Sequence, residues 1–97
     1  MRANAGPLLL ALACLPLLAA AEPAAPPPGA DACSGCHAPG PAAGVMPRIH
    51  GRSVEEIATA LQAFRTGVRA ATVMDRIAKG FSEEESLAIA VWLAAVR

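Results

Sequence analysis

Two cysteines three positions apart, followed at once by a histidine, constrain this chain more than any other feature: Cys33-Ser34-Gly35-Cys36-His37. On a helix, residues three and four apart are neighbours, so this spacing puts both thiols and the imidazole on one face. The rest of the sequence decides which chemistry that face serves. Hydrophobic residues make up 55% of the 97 residues, yet aromatics are only 3% and tyrosine is absent. So small a chain struggles to bury enough apolar surface by itself.

The N-terminal segment takes a further part of the chain away from folding. Residues 1–21 read as a secretory signal: Arg2 supplies the positive start, a Leu/Ala run follows, and Ala19-Ala20-Ala21 offers the small residues of a cleavage site, with cleavage expected after Ala21. The apolar run, about 15 residues long and interrupted by Pro16, is shorter than the ~20 needed to cross a bilayer, so no membrane span is expected after its removal. Export to the periplasm follows from such a signal. The mature chain, about 76 residues, keeps two cysteines, Cys33 and Cys36, because Cys14 leaves with the signal.

Residues 22–29, with Pro23, Pro26, Pro27 and Pro28 among alanines, read as an extended, flexible tether that offers nothing to pack. The domain proper is expected over residues 30–97. Its first helix is short, ending before Pro39, because a residue preceding proline is driven out of the α region. Residues 38–51 carry too many prolines and glycines for regular structure. Ser53 with Glu56 forms a capping box, and Val54, Ile57, Leu61 and Phe64 recur at helical spacing, which predicts a helix over 54–66 stopped by Gly67. One or two helical turns are expected over 74–79, closed by Gly80. Ser82 with Glu85 opens a last helix built by Leu87, Ala90, Val91 and Ala94, flanked by Ile89, Leu93 and Val96. Strand-like alternation is absent, and the expected fold class is all-α.

Within such a chain Cys-x-x-Cys-His reads as a c-type haem attachment site, the two thiols bonding the vinyl groups while the imidazole binds the iron. The alternatives are weaker. A redox dithiol of this spacing belongs to a βαβ setting, and no strand is evident. A structural zinc needs four ligands, and the mature chain offers the two cysteines with His37 and His50 in an unlikely arrangement. One covalent haem c also supplies the large apolar surface that the few aromatics lack.

For the sixth iron position the sequence offers Met74, Met46 and His50, or an open site. Met74 is the favoured ligand: it lies well downstream at a loop-to-helix junction, where the chain can wrap to the face opposite His37. Met46 and His50 lie nearer the proximal side in sequence, and His50 reads as a loop or surface histidine. A thioether on the iron raises its potential and suits electron transfer.

The order of these features resembles a class I cytochrome c: haem motif first, capped middle helix, distal methionine in the second half, C-terminal helix. The resemblance implies a small fold of three to four helices wrapped around one haem. It further implies that Pro47 offers its carbonyl to the proximal histidine and that Ile49 packs on the haem. The stretch Leu61-Gln62-Ala63-Phe64-Arg65-Thr66-Gly67-Val68-Arg69 onward through Met74 to Ser82 is similar to the monohaem cytochrome subunits of flavocytochrome c sulfide dehydrogenases. That family passes single electrons from a flavoprotein (FAD) subunit to a small redox acceptor such as another cytochrome, which is the role implied here. A freestanding soluble carrier, or the cytochrome subunit of another periplasmic dehydrogenase, is the alternative. The departures from the family pattern are Ala38-Pro39 after the motif histidine and Arg48-Ile49 after the loop proline.

Other classes are excluded or unsupported. Eight Lys/Arg balance eight Asp/Glu, without the cationic excess that phosphate contacts need, which argues against nucleic-acid binding. The length excludes a nucleotide-binding α/β enzyme. No general base, nucleophile or substrate pocket is identifiable, so no catalysis by this chain alone is expected. The basic residues Arg48, Arg52, Arg65, Arg69, Arg76 and Lys79 fall in mid-chain, around the loops expected to rim the haem, while Glu83, Glu84 and Glu85 open the last helix. They read equally as a docking surface or as a solvated face with a favourable helix N-terminus.

Overall fold

The structure is a computed structural model that describes residues 2–4, 6, 24–40 and 46–96. The signal expected over 1–21 lies almost wholly outside the described residues. Four helices are present and no strand among the described residues: α1 (Ala30–Cys36), α2 (Val54–Thr66), α3 (Met74–Ala78) and α4 (Glu83–Ala95). No described helix is long and apolar enough to cross a membrane.

Local signals set most of these boundaries. Ser53 and Ser82 each close a capping box, their hydroxyls accepting from the amides of Glu56 and Glu85 while those carboxylates accept from the serine amides. Each box satisfies two backbone donors that a helix start leaves orphaned. Gly67 ends α2 in the left-handed region at φ +78°, a conformation that costs a Cβ-bearing residue about 1–2 kcal/mol. Gly80 is different: its φ is not positive, and its place is set by close approach to the Ile77 carbonyl, 3.2 Å from where a Cβ would stand.

α2 and α4 form the central pair; α3 packs on α2, and α1 packs on α4. Ala30, Ile57, Ile89, Ala90 and Leu93 make the buried centre, with Cys33, Ile49, Leu61 and Trp92 half-buried around it. The core is thin, for Ile89 and Leu93 are its largest fully buried side chains. α4 is apolar on every side, so periodicity in its sequence does not choose an inner face. The structure buries Ser86, Ile89, Ala90 and Leu93 and leaves Leu87 and Val91 exposed.

The described part of the proline-rich stretch lies along α4, where the composition alone suggested no packing. Trp92 Nε1 donates to the Ala24 carbonyl at 3.0 Å, and the Pro27 carbonyl accepts from the Ala30 amide at 3.0 Å. Between them Gly29 starts α1 with φ +88°, and a Cβ there would stand 2.6 Å from Phe81 Cε1. Gly29→Ala is therefore expected to destabilise the fold by roughly 2–4 kcal/mol, from left-handed strain and overpacking together. A chemical-denaturation midpoint checks this. In a Phe81→Ala background only the strain component should survive, and an unchanged midpoint in both backgrounds would contradict the packing described.

Candidate functional site

α1 carries both cysteines and ends at Cys36, and His37 follows as its C-cap with φ −100° and ψ 77°, outside the helical range, so the imidazole leaves the helix that the motif spacing suggested. Both cysteines carry free thiols, Cys36 exposed and Cys33 half-buried against the core. Burial pushes the Cys33 thiol above its ordinary pKa, and Asp31 adds to the rise, while a backbone hydrogen bond pulls partly the other way. A redox dithiol works through a thiolate stabilised below the usual range. Cys33 sits in the opposite environment.

His37 is buried at the end of α1, its amide donating to the Cys33 carbonyl at 2.8 Å. Its Nδ1 donates to the Pro47 carbonyl at 2.6 Å. A carbonyl only accepts, so this bond fixes the proton on Nδ1 and leaves the Nε2 lone pair bare, the tautomer a metal-binding imidazole needs. A second partner of this kind also orients a ligating histidine and raises its basicity. The structure thus brings Cys33, Cys36, His37 and Pro47 to one place, and Ile49 lies half-buried against the core beside them.

Met74 is the first residue of α3 and is half-buried. α3 rests on α2 whereas α1 rests on α4, so Met74 and His37 are carried by different supports. Around Met74 in sequence, Val68, Val73 and Ile77 stay exposed, Val68 at 85% of its surface. Met46 is also exposed.

His50 departs from its expected place. It is 2% exposed rather than on the surface, with Nε2 and the Ser34 Oγ sharing a hydrogen bond of 3.0 Å. Its Nδ1 is buried without a hydrogen-bond partner among the described residues. The ring stands edge-on to Trp92, centroids 6.5 Å apart at 72°. The sequence offered His50 only as a sixth-ligand candidate or a surface histidine and gave Ser34 and Trp92 no role, whereas the structure packs the three together. The one available signal, equal three-residue spacing of Ser34 and His37 and of Pro47 and His50, becomes readable only once the two segments are known to be paired.

Burial, then the nearby Arg48 charge, lowers the His50 pKa. The unfolded chain, titrating near the ordinary value of about 6.5, then takes up the proton first. Stability from neutral His50 is complete above that value and is lost as pH falls from it toward the lower folded pKa. Denaturation midpoints measured from pH 7 down to pH 5 are expected to fall, and His50→Gln should flatten that part of the profile; parallel profiles would contradict the assignment.

Several mid-chain basic residues have structural partners. The Arg69 guanidinium lies 4.7 Å from the Phe64 ring centre, Arg52 Nε donates to the Arg48 carbonyl at 2.7 Å, and Arg65 stands 3.8 Å from Glu83. The last is a surface pair, a class that contributes at most about 1 kcal/mol. Arg76 and Lys79 are exposed.

The donor set fits a c-type haem: two free thiols from one short helix and, from its C-cap, an imidazole with its outer nitrogen bare. Among the described residues no three His, Cys, Asp or Glu side chains cluster to hold a metal ion. No protein-family model matches the chain. A curated relative, the cytochrome subunit of sulfide dehydrogenase from Chlorobaculum tepidum, is 50% identical over 54 residues, which are 55% of this chain and 49% of the relative. The match thus spans about half the length of that relative. The chain is therefore similar, over that stretch, to a sulfide dehydrogenase cytochrome subunit, and its described helices form an all-α arrangement consistent with a small class I cytochrome c.

Proposed function

We propose that this chain is an exported, periplasmic monohaem c-type cytochrome that passes single electrons as the haem subunit of a sulfide dehydrogenase, its donor a flavoprotein (FAD) subunit. Cys33 and Cys36 would hold the haem covalently, and His37 and Met74 would be the two protein ligands of its iron. When bound, haem c supplies a one-electron ferric/ferrous couple. The rest is done by the chain. Pro47 holds the His37 proton at Nδ1 and keeps Nε2 free for the metal, Ile49 packs beside the site, and α2 carries the segment that presents Met74. Oxidation of sulfide itself belongs to the partner, and the electrons leave to a small acceptor such as another cytochrome.

The observation that carries this reading is the His37 Nδ1 bond to Pro47, made from the C-cap of the helix that presents both free thiols. The similarity to a sulfide dehydrogenase cytochrome subunit supports the choice of partner. The test is to purify the protein gently from its native periplasm and record the visible spectrum of each gel-filtration peak. Haem and flavin co-eluting in fixed ratio, at a mass well above that of this chain, is the expected result. Haem alone at the monomer's size would overturn the subunit assignment and leave a freestanding carrier.

A further inference from the structure

The Pro47 carbonyl must be held at a fixed distance and direction if it is to set the basicity of His37. Pro47 is itself exposed and has no amide hydrogen with which to anchor its own position. What anchors the loop lies three residues further on. His50, buried to 2% exposure, reaches back to Ser34 on α1 at 3.0 Å, while the Gly51 amide donates to the Leu93 carbonyl of α4 at 2.9 Å. Trp92 stands edge-on against the His50 ring and is tied by its own indole N–H to Ala24. A histidine in such surroundings is costly to bury unless it is hydrogen-bonded, so its bond to Ser34 is what makes the position tenable.

Two bonds thus join the same two segments: Ser34 to His50, and His37 to Pro47. Their spacing matches, three residues along α1 and three along the loop. We infer that Ser34 and His50 are positioning residues for the proximal ligand: their hydrogen bond is a second rung that keeps the Pro47 carbonyl on His37 Nδ1. This rests on the haem reading above. With the rung removed, the loop is free to drift outward and the Nδ1 bond lengthens. The imidazole then becomes a weaker donor, and the ferric iron, which needs that donation more, loses ground to the ferrous.

The experiment is a redox titration of the intact holoprotein followed by its visible spectrum, on the parent and on Ser34→Ala, Ser34→Thr, His50→Leu and His50→Gln. At the parent's midpoint, Ser34→Ala and His50→Leu should each raise the ferrous-to-ferric ratio by about threefold, a modest change because each acts on the ligand through its partner rather than directly. Ser34→Thr and His50→Gln, which keep a hydrogen-bonding group in place, should stay near the parent. The Ser34→Ala/His50→Leu pair should shift the ratio no further than the larger single change, because both remove the same bond.

A melting temperature that falls while the ratio stays at the parent's value would overturn the inference, leaving a merely structural contact. Should His50→Leu yield no haem-loaded protein, Ser34→Ala decides alone, since it removes one half-buried hydroxyl. A parent protein without haem would overturn the haem reading and this inference together. A haem-bearing parent whose potential ignores Ser34→Ala would overturn this inference only.

Discussion

Changing Cys33 and Cys36 together to alanine is expected to abolish haem attachment and, with it, most of the helical structure. The reason lies in the core. Apart from Ile57, Ile89 and Leu93, the side chains buried in it are alanines, and the aromatic residues Phe64, Phe81 and Trp92 are only half-buried. Domains of this size generally need a staple beyond their own hydrophobic core. A covalently held macrocycle would be such a staple: it would add a large apolar surface that the polypeptide lacks, and thioether bonds would prevent its escape. Far-UV circular dichroism of the double variant should show the loss of most of the helical signal, and a haem stain on a denaturing gel should be blank. A variant that stays helical without haem would mean that the polypeptide core suffices, contrary to this account.

Met74→Ala is expected to have the second largest effect, on the iron rather than on the fold. Met74 opens α3, a five-residue helix held against α2, and its side chain is half-buried, so truncation costs little packing in the fully buried core. Loss of a thioether ligand, in contrast, removes the group that favours ferrous iron. The reduction potential should fall by on the order of 0.2–0.3 V, a fraction of the ~0.8 V range that axial ligands span. Ferric and ferrous spectra should change with it. If Met74→Ala left both potential and spectrum as they were while Met46→Ala altered them, the distal ligand would be Met46.

The features that were legible in the sequence are those set by near neighbours. The two capping boxes, the left-handed Gly67 and the Cys33-to-His37 pentad each depend on residues within one helical turn, and all four helices stand where such signals predict them. The inner face of α4 was not legible, because Leu87 and Val91 are as apolar as Ile89 and Leu93, and only packing against α2 distinguishes them. Neither was the burial of His50. A histidine flanked by Ile49 and Gly51 in a glycine- and proline-rich loop looks exposed until Ser34, sixteen residues earlier, is known to be its partner. Gly29 is a similar case, since its requirement for glycine comes partly from the Phe81 ring, far along the chain. Non-local partners leave no mark in a local window.

The charge arrangement changes its meaning once partners are assigned. Arg69 on Phe64 and Arg52 on the Arg48 carbonyl have intramolecular roles in loop geometry, so the mid-chain basic residues do not all stand free for a partner. Exposed Arg48, Arg76 and Lys79, the last two beside exposed Val73 and Ile77, are left as side chains through which charge can steer an encounter.

Cys33 and Cys36 are proposed to carry one haem through covalent bonds. Intact mass spectrometry of the protein, purified from its native cells and denatured in acid, tests this. A single species heavier than the polypeptide by one haem is expected, with a haem-bearing peptide spanning Cys33 to His37 after digestion. A mass equal to the bare polypeptide, or to the polypeptide less two hydrogens from a Cys33–Cys36 disulfide, would contradict it.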